Sequence, residues 1–331
     1  MKPLPVLSAS QLPCRPPERI WLIEHLWAND SVGLLGGPPK SLKTYLALEM
    51  AISVATATPC LGRFAVPRRG RVLLFAAEDA SHVLRARIES LARAHGTPLD
   101  KLDIGIIDTP QLKLDQRNCQ ADLHATIKKH RPALLILDPF VRLHAGLDEN
   151  SSRDVATLLG FLRSLQRHHH VCIVVVHHTR KSPAQSQGYE LRGSGDFFAW
   201  GDCFLYMSRR RDVLKLSVQH RAAASIDPIH VQLSGDPPHL CITDKSAVPP
   251  DDIDIDSRIL STLSASGCPM SVRQIQNAVH ARTATVLDAL HRMRDTQQVT
   301  KSKQGWQVFP VSHPGDQRER KRSEQVTLPV D

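Results

Sequence analysis

Residues 31–55 read SVGLLGGPPKSLKTYLALEMAISVA, and this stretch decides the fold. It opens as a short apolar run, SVGLLGG (31–37), turns at Gly37-Pro38-Pro39, and continues as an amphipathic helical run from 43 to 56. A strand that feeds a helix through a tight Gly-rich turn is the context in which a phosphate-binding loop works. Backbone N–H groups and the helix N-terminus then face the anion. The P-loop pattern is G-x-x-x-x-G-K-S/T. In GPPKSLKT (37–44), Gly37, Lys43 and Thr44 fall in register, and Leu42 stands where the second glycine belongs. The candidate cradle is therefore Gly37, Pro38, Pro39, Lys40, Ser41, Leu42, Lys43 and Thr44. Lys43 has the charge and reach to neutralise β- and γ-phosphate oxygens, and the Thr44 hydroxyl can ligate Mg²⁺. Lys40 reads either as a second phosphate contact or as a solvated loop charge.

Outward from this loop, apolar runs alternate with helical stretches. The runs are RVLLFAAE (71–78), LDIGIID (102–108), ALLILD (133–138) and VCIVVVHH (171–178). Helical periodicity lies between them at 80–95, 119–130 and 153–168. Buried β-branched runs separated by helices predict βαβ units, hence a mostly parallel sheet with helices on both faces. Three further runs, CFLYMS (203–208), VLKLSVQH (213–220) and IHVQLS (229–234), follow too closely for crossover helices and predict an antiparallel extension at one edge.

Several of these runs end in chemistry. ALLILD ends in Asp138, placed to orient Mg²⁺ beside a P-loop strand. RVLLFAAED carries Glu78 and Asp79 at a strand end; Glu78 is the candidate general base for an attacking water, and Asp79 reads as the cap of the next helix. VCIVVVHH ends in His177 and His178. Neighbours on a strand point to opposite faces, so both cannot grip one ion. His178 is the candidate to sense a γ-phosphate. His168, His169 and His170 read as a basic helix C-terminus, suited to the helix dipole and assigned no chemistry.

The flanks differ in composition. Residues 1–30 are Pro-rich, with Trp21, Leu22, Leu26 and Trp27 as an apolar stripe that reads as a lid or docking segment. A Pro- and Asp-rich linker spans 236–256. Residues 257–310 read as three helices and a short hairpin, resembling a winged helix-turn-helix. In its second motif helix Val286, Leu287, Leu290 and Met293 form the apolar stripe, leaving Arg282, Thr283, Thr285 and Arg292 for a DNA face. Residues 311–331 are polar and read as a disordered tail.

Composition narrows the partners. The net charge is +9 over 331 residues, and both termini are balanced, so the surplus lies between them and favours a polyanion. No run approaches the ~20 apolar residues of a membrane span, and the N-terminus lacks the apolar core of a signal peptide. The seven cysteines are scattered and odd in number, which predicts free thiols in the cytoplasm.

Taken in order, GPPKSLKT, FAAED, LLILDPF, VVVHHTRK, ELRGSGDFFAWGD (190–202), CFLYMSRRR and LSVQHRAAAS resemble the RecA-like P-loop ATPases of the hexameric helicase type. The nearest group is the plasmid RepA-like helicases among the AAA family ATPases, and the resemblance covers 31–235. It implies ATP and Mg²⁺ as ligands, a homohexamer with sites between neighbouring subunits, and single-stranded DNA in a central channel. It also implies that Arg221 acts in trans as an arginine finger, with Arg209, Arg210 and Arg211 as rivals. The group often carries Lys two residues before that arginine, where this chain has Gln219. Arg180, Lys181 and Arg192, in and beside the 181–195 loop, are the implied DNA contacts.

Two readings of function remain open at this point. The first is an ATP-hydrolysing DNA motor, with duplex DNA a further partner of the winged helix. The second is an ATP-dependent DNA-binding regulator or accessory factor that does not translocate. A small-molecule kinase is the weaker third, because Glu78 and the terminal module have no place in it.

Overall fold

A computed structural model describes residues 3–12, 19–146, 151–178, 195–210, 213–243, 255–281, 283–296, 298–302 and 304–309. The chain forms two compact units, Met1–Lys245 and Ser246–Asp331, each described by itself.

The first unit is built on a sheet of nine strands among the described residues. Six run parallel: β3 (Val32–Gly37), β4 (Val72–Ala76), β5 (Ile104–Ile106), β6 (Leu134–Asp138), β7 (Cys172–His178) and β8 (Cys203–Arg210). Three continue antiparallel: β9 (Val213–His220), β10 (Ile229–Ser234) and β11 (His239–Ile242). Their order is β11-β10-β9-β8-β3-β7-β6-β4-β5. The P-loop strand thus lies inside the sheet, between β7 and β8.

Both faces of the central strands are apolar, and alternation sends each residue to one of two cores. On β7, Cys172, Val174 and Val176 join the core containing α1 (Lys43–Thr56) and α2 (Ser81–Ala94). Ile173 and Val175 join the opposite core, with α3 (Arg117–His130), α4 (Ser152–His169) and Phe197 of α5 (Gly195–Trp200). β4 and β6 alternate in the same way, with Leu74 and Ile136 on one side and Phe75 and Leu137 on the other. Helix α1 is buried nearly all round and not amphipathic as expected, because apolar residues run through it almost without break. At Gly33 backbones approach so closely that a Cβ would lie 1.8 Å from the Cys203 carbonyl oxygen, so β3 and β8 require glycine here.

The N-terminal stripe docks on the sheet domain: Trp21–Ile23 (β1) and Trp27–Ala28 (β2) form an antiparallel hairpin on the α1 core. Leu22, Ile23, Leu26 and Trp27 are buried there. The sheet also runs on into the stretch expected to be linker, because β11 pairs with β10 through Ile242. Residues 244–254 and the tail 311–331 lie outside the described residues.

The second unit contains α6 (Ile255–Ser266), α7 (Val272–Val279), α8 (Thr283–Asp295) and the hairpin β12 (Val299–Ser302)–β13 (Gly305–Val308). Ile259, Leu263, Ile275, Val279, Val286, Ala289, Leu290, Met293 and Trp306 make its core. Leu287 is only half-buried. Ser271 caps α7 in a capping box: its Oγ accepts from Gln274 N at 3.3 Å, and Gln274 Oε1 accepts from Ser271 N at 2.8 Å. Met270 bridges Trp306 through two backbone bonds of 2.8 Å. Gly305, at φ +141°, has no room for a Cβ, which would meet the Met270 carbonyl oxygen at 2.6 Å.

Candidate nucleotide site

The 37–44 loop leaves β3 and enters α1 at the C-terminal edge of the parallel strands, where α/β sheets bind their ligands. Gly37 (φ +152°) allows the exit, since a Cβ would lie 2.2 Å from the Met207 carbonyl oxygen. Ser41 is fully buried, and its Oγ donates to the Pro38 carbonyl at 2.8 Å, which closes the turn. Lys40 is exposed and left-handed at φ 63°. Leu42 is also left-handed, at φ 61°, ψ 28°. The chain therefore keeps the backbone that glycine normally supplies here, at a steric cost of ~1–2 kcal/mol. The Leu42 side chain is half-buried against the α1 core.

Lys43 starts α1 with its ammonium folded back over the loop, donating to the Gly37 carbonyl at 2.9 Å and the Pro38 carbonyl at 2.8 Å. Burial lowers its pKa from the ordinary lysine value to about 8, against the opposing pull of Asp138 and Glu78. Thr44 Oγ1 donates to Asp138 Oδ2 at 2.8 Å. Asp138 ends β6 on the α1 side of the sheet because it shares the parity of Leu134 and Ile136. Burial pushes its carboxyl up to about 6; the Thr44 hydrogen bond opposes this, and the neighbouring Glu78 and Asp79 charges add to it.

The remaining walls come from Tyr45, Ala76, Glu78, Asp79, Arg87 and His178. Glu78 follows β4 and stands half-exposed, with Oε2 3.6 Å from His178 Nε2 and Oε1 3.7 Å from Arg142 Nε. Strand parity separates the two histidines as expected: His178 faces this cleft, while His177 packs on Phe197 with centroids 4.7 Å apart. Asp79 does not cap α2, whose N-cap is Ala80 without a side-chain bond. It pairs instead with Arg87, whose guanidinium lies over the Tyr45 ring at 5.4 Å. Tyr45, Arg87 and Arg142 went unread in the sequence. Tyr45 abuts the motif, but nothing local marks the two arginines, which the fold brings in from α2 and the turn after β6.

The arginines of the antiparallel edge separate. Cys203 pairs with both Gly33 and His220, which sets Arg221 level with the start of β3. That is roughly 16 Å along the strands from Gly37 at ~3.3 Å per residue. Arg221 donates to the Ala199 carbonyl and lies 3.7 Å from Asp202 Oδ1, at the opposite end from its own P-loop. Arg209 is at the loop end, donating to the Lys40 carbonyl at 3.4 Å. Arg211 and the implied DNA contacts Arg180, Lys181 and Arg192 lie outside the described residues, as does Arg282. In the second unit Thr283 and Thr285 are exposed, and Arg292, also exposed, pairs with Asp256 of α6 at 2.9 Å.

The residues fit a magnesium nucleotide: a strand-to-helix loop, a lysine over it, and a threonine hydrogen-bonded to a strand-terminal aspartate. Fold and site define the chain as a RecA-like P-loop domain with a mostly parallel α/β sheet. It belongs to the AAA domain family AAA_25, whose model matches residues 2–184. The fold is shared with a solved ATPase domain at TM-score 0.50 and 13% identity, over 65% of this chain and 86% of that one. It is shared equally with a DnaB-like replicative helicase solved for its interactions with primase, at TM-score 0.50 and 13% identity. There the match covers 65% of this chain but only 58% of the helicase. No curated protein matches the sequence. No helix among the described residues is long and apolar enough to cross a membrane.

Proposed function

We propose that the chain is an ATP-hydrolysing motor that processes DNA, similar to the RepA-like helicases. The observation that carries this reading is the Thr44–Asp138 hydrogen bond of 2.8 Å beneath the Lys43 loop. It joins the two groups that would hold Mg²⁺, from separate elements and 94 residues apart. Thr44 and Asp138 would hold a Mg²⁺ ion, which would supply positive charge to offset that developing on the phosphates. Lys43 would exchange its two carbonyl partners for phosphate oxygens, which repay its desolvation better than neutral dipoles do. Gly37, Pro38, Pro39, Lys40, Ser41 and Leu42 would cradle the phosphates. Glu78 would orient and deprotonate the attacking water, and His178, 3.6 Å from it, would link that carboxylate to the γ-phosphate.

Arg221 would complete a site between subunits: it lies at the far end of the sheet from its own P-loop and would meet the γ-phosphate of a neighbour. A ring, hexameric by resemblance, supplies that neighbour. The second unit has the helix order and hairpin of a winged helix-turn-helix, and Thr283 and Thr285 would face DNA. Its binding would supply the alternative reading, a nucleotide-gated regulator that does not translocate.

The test is ATP turnover with and without single-stranded DNA, paired with unwinding of a forked duplex. The motor predicts DNA-stimulated hydrolysis and strand separation, both lost in Lys43→Ala. Turnover without unwinding selects the regulator; turnover unchanged in Lys43→Ala refutes the site itself.

A further inference from the structure

Far from the nucleotide cleft, three imidazoles converge between α3 and α4. His124 projects from the middle of α3, and His168 and His169 from the last turn of α4. Their ring centroids lie 5.0, 4.5 and 4.6 Å apart pairwise. One ring nitrogen from each lies within 4.8 Å of the others, and this is the sole such triple found among the described residues. We propose that His124, His168 and His169 bind one divalent transition-metal ion of the zinc-to-copper class, leaving a fourth position open.

Geometry argues for it first. A tetrahedral ion with metal–nitrogen bonds of ~2.1 Å requires ligand nitrogens ~3.4 Å apart and ring centroids ~5.3 Å apart. The centroids are already within about 1 Å of that, so small side-chain rotations complete the set. His168 is exposed and free to make them. The second argument is an unmet bond. His169 Nε2 is buried and has no hydrogen-bond partner, a loss that buried polar atoms rarely sustain. A metal ion would satisfy it.

The charges around the cluster can also be placed. The carbonyl end of the α4 dipole lies beside His168 and His169 and favours a cation. The opposing groups are cationic: Lys128 on α3, one turn beyond His124, with Arg71 and Arg131 lining the same cleft as His168 and His169. In that shared cleft they would attract an anionic fourth ligand such as hydroxide or phosphate. Three histidines and an exchangeable fourth ligand is the donor count of an open zinc site rather than a closed structural one.

The experiment uses tag-free full-length protein carrying Cys268→Ser, which removes an exposed thiol as a rival ligand. Co²⁺ is titrated while its visible d–d absorption is followed, and Zn²⁺ is then added as competitor. One equivalent of Co²⁺ in a four-coordinate spectrum, displaced by Zn²⁺, is expected. His124→Ala, His168→Ala and His169→Ala should each weaken binding by roughly tenfold or more, with ATP turnover unchanged. If His169→Ala fails to fold, exposed His168→Ala and the retained-volume variant His124→Gln carry the comparison. Equal Co²⁺ affinity in wild type and His124→Gln overturns the proposal. So does binding of inorganic phosphate without any metal, which would make this a plain anion cleft.

Discussion

Leu42 offers a prediction in which two physical effects have opposite signs. In a helix interior with ordinary backbone, alanine is more stable than glycine by ~0.5–1 kcal/mol, because glycine loses more freedom on folding. At φ 61°, ψ 28° the order reverses, since every L side chain carries the left-handed penalty of ~1–2 kcal/mol and glycine carries none. Leu42→Ala and Leu42→Gly both remove the half-buried isobutyl group, so that packing loss cancels between them. The difference that remains is the backbone alone: Leu42→Gly should be more stable than Leu42→Ala by about 1 kcal/mol. With a urea m-value of ~2–3 kcal/mol per molar, the glycine variant should unfold about 0.3–0.5 M later. Far-ultraviolet circular dichroism of the two variants reads this directly. If alanine unfolds at the same or higher urea than glycine, Leu42 is not left-handed and the loop lacks P-loop backbone. Nucleotide affinity supplies a parallel reading, because glycine preserves the loop path that alanine strains.

Other consequences of the site can be checked separately. Asp138 is raised from 3.8 to about 6, so the folded state holds its proton more tightly than the unfolded state does. Stability of the nucleotide-free protein should therefore fall as pH rises from about 4 to 6, by ~3 kcal/mol in all, and then level off. Asp138→Asn should abolish that slope and raise the melting temperature at pH 7 while ending Mg²⁺-dependent ATP turnover; a melting temperature unchanged at pH 7 would contradict the buried carboxyl. Arg221→Ala and Glu78→Gln, each inactive alone, should regain partial ATPase activity when mixed if one subunit completes its neighbour's site. No recovery from intact mixed oligomers would count against the trans arrangement. Gly37→Ala would place a methyl 2.2 Å from the Met207 carbonyl oxygen and should abolish ATP binding, visible in equilibrium dialysis.

The sequence was most legible where local chemistry and tertiary environment agree. Helix α1 spans Lys43–Thr56 as expected because Gly37-Pro38-Pro39 forces the turn and the following apolar run has one compact shape available. Asp138 was readable as a carboxylate ending an apolar strand, and parity set His177 and His178 on opposite faces without choosing which one enters the cleft. The hairpin β1–β2 was not legible. The spacing of Trp21, Leu22, Leu26 and Trp27 suits either a helical stripe or two short strands, and only the packing partners decide. Arg87 and Arg142 escaped for a related reason: a charged residue on a helix or turn looks solvated until the fold sets Asp79 or Glu78 beside it. Leu42 was visible as a departure from the motif, but its left-handed backbone is imposed by the loop and leaves no mark in residue type.

The hairpin also bears on how the chain completes itself. Its partners come from late in the sequence: Ala28 N donates to Cys203 Sγ at 3.3 Å, and His220 Nε2 lies 3.0 Å from the His25 carbonyl oxygen. The first secured segment of the sheet domain is thus sealed by some of its last, across 175 and 195 residues of intervening chain. Such separations slow folding, because a long loop must close before the contacts reward it. During synthesis, Leu22, Ile23, Leu26 and Trp27 emerge early and meet α1 long before β8 and β9 arrive to complete their cover. A fragment begun at Ser31 would strip those four side chains from the core, a loss of ~6–12 kcal/mol at ~1.5–3 kcal/mol each. That equals the whole stability of an ordinary domain, so the hairpin acts as the final clasp of the sheet.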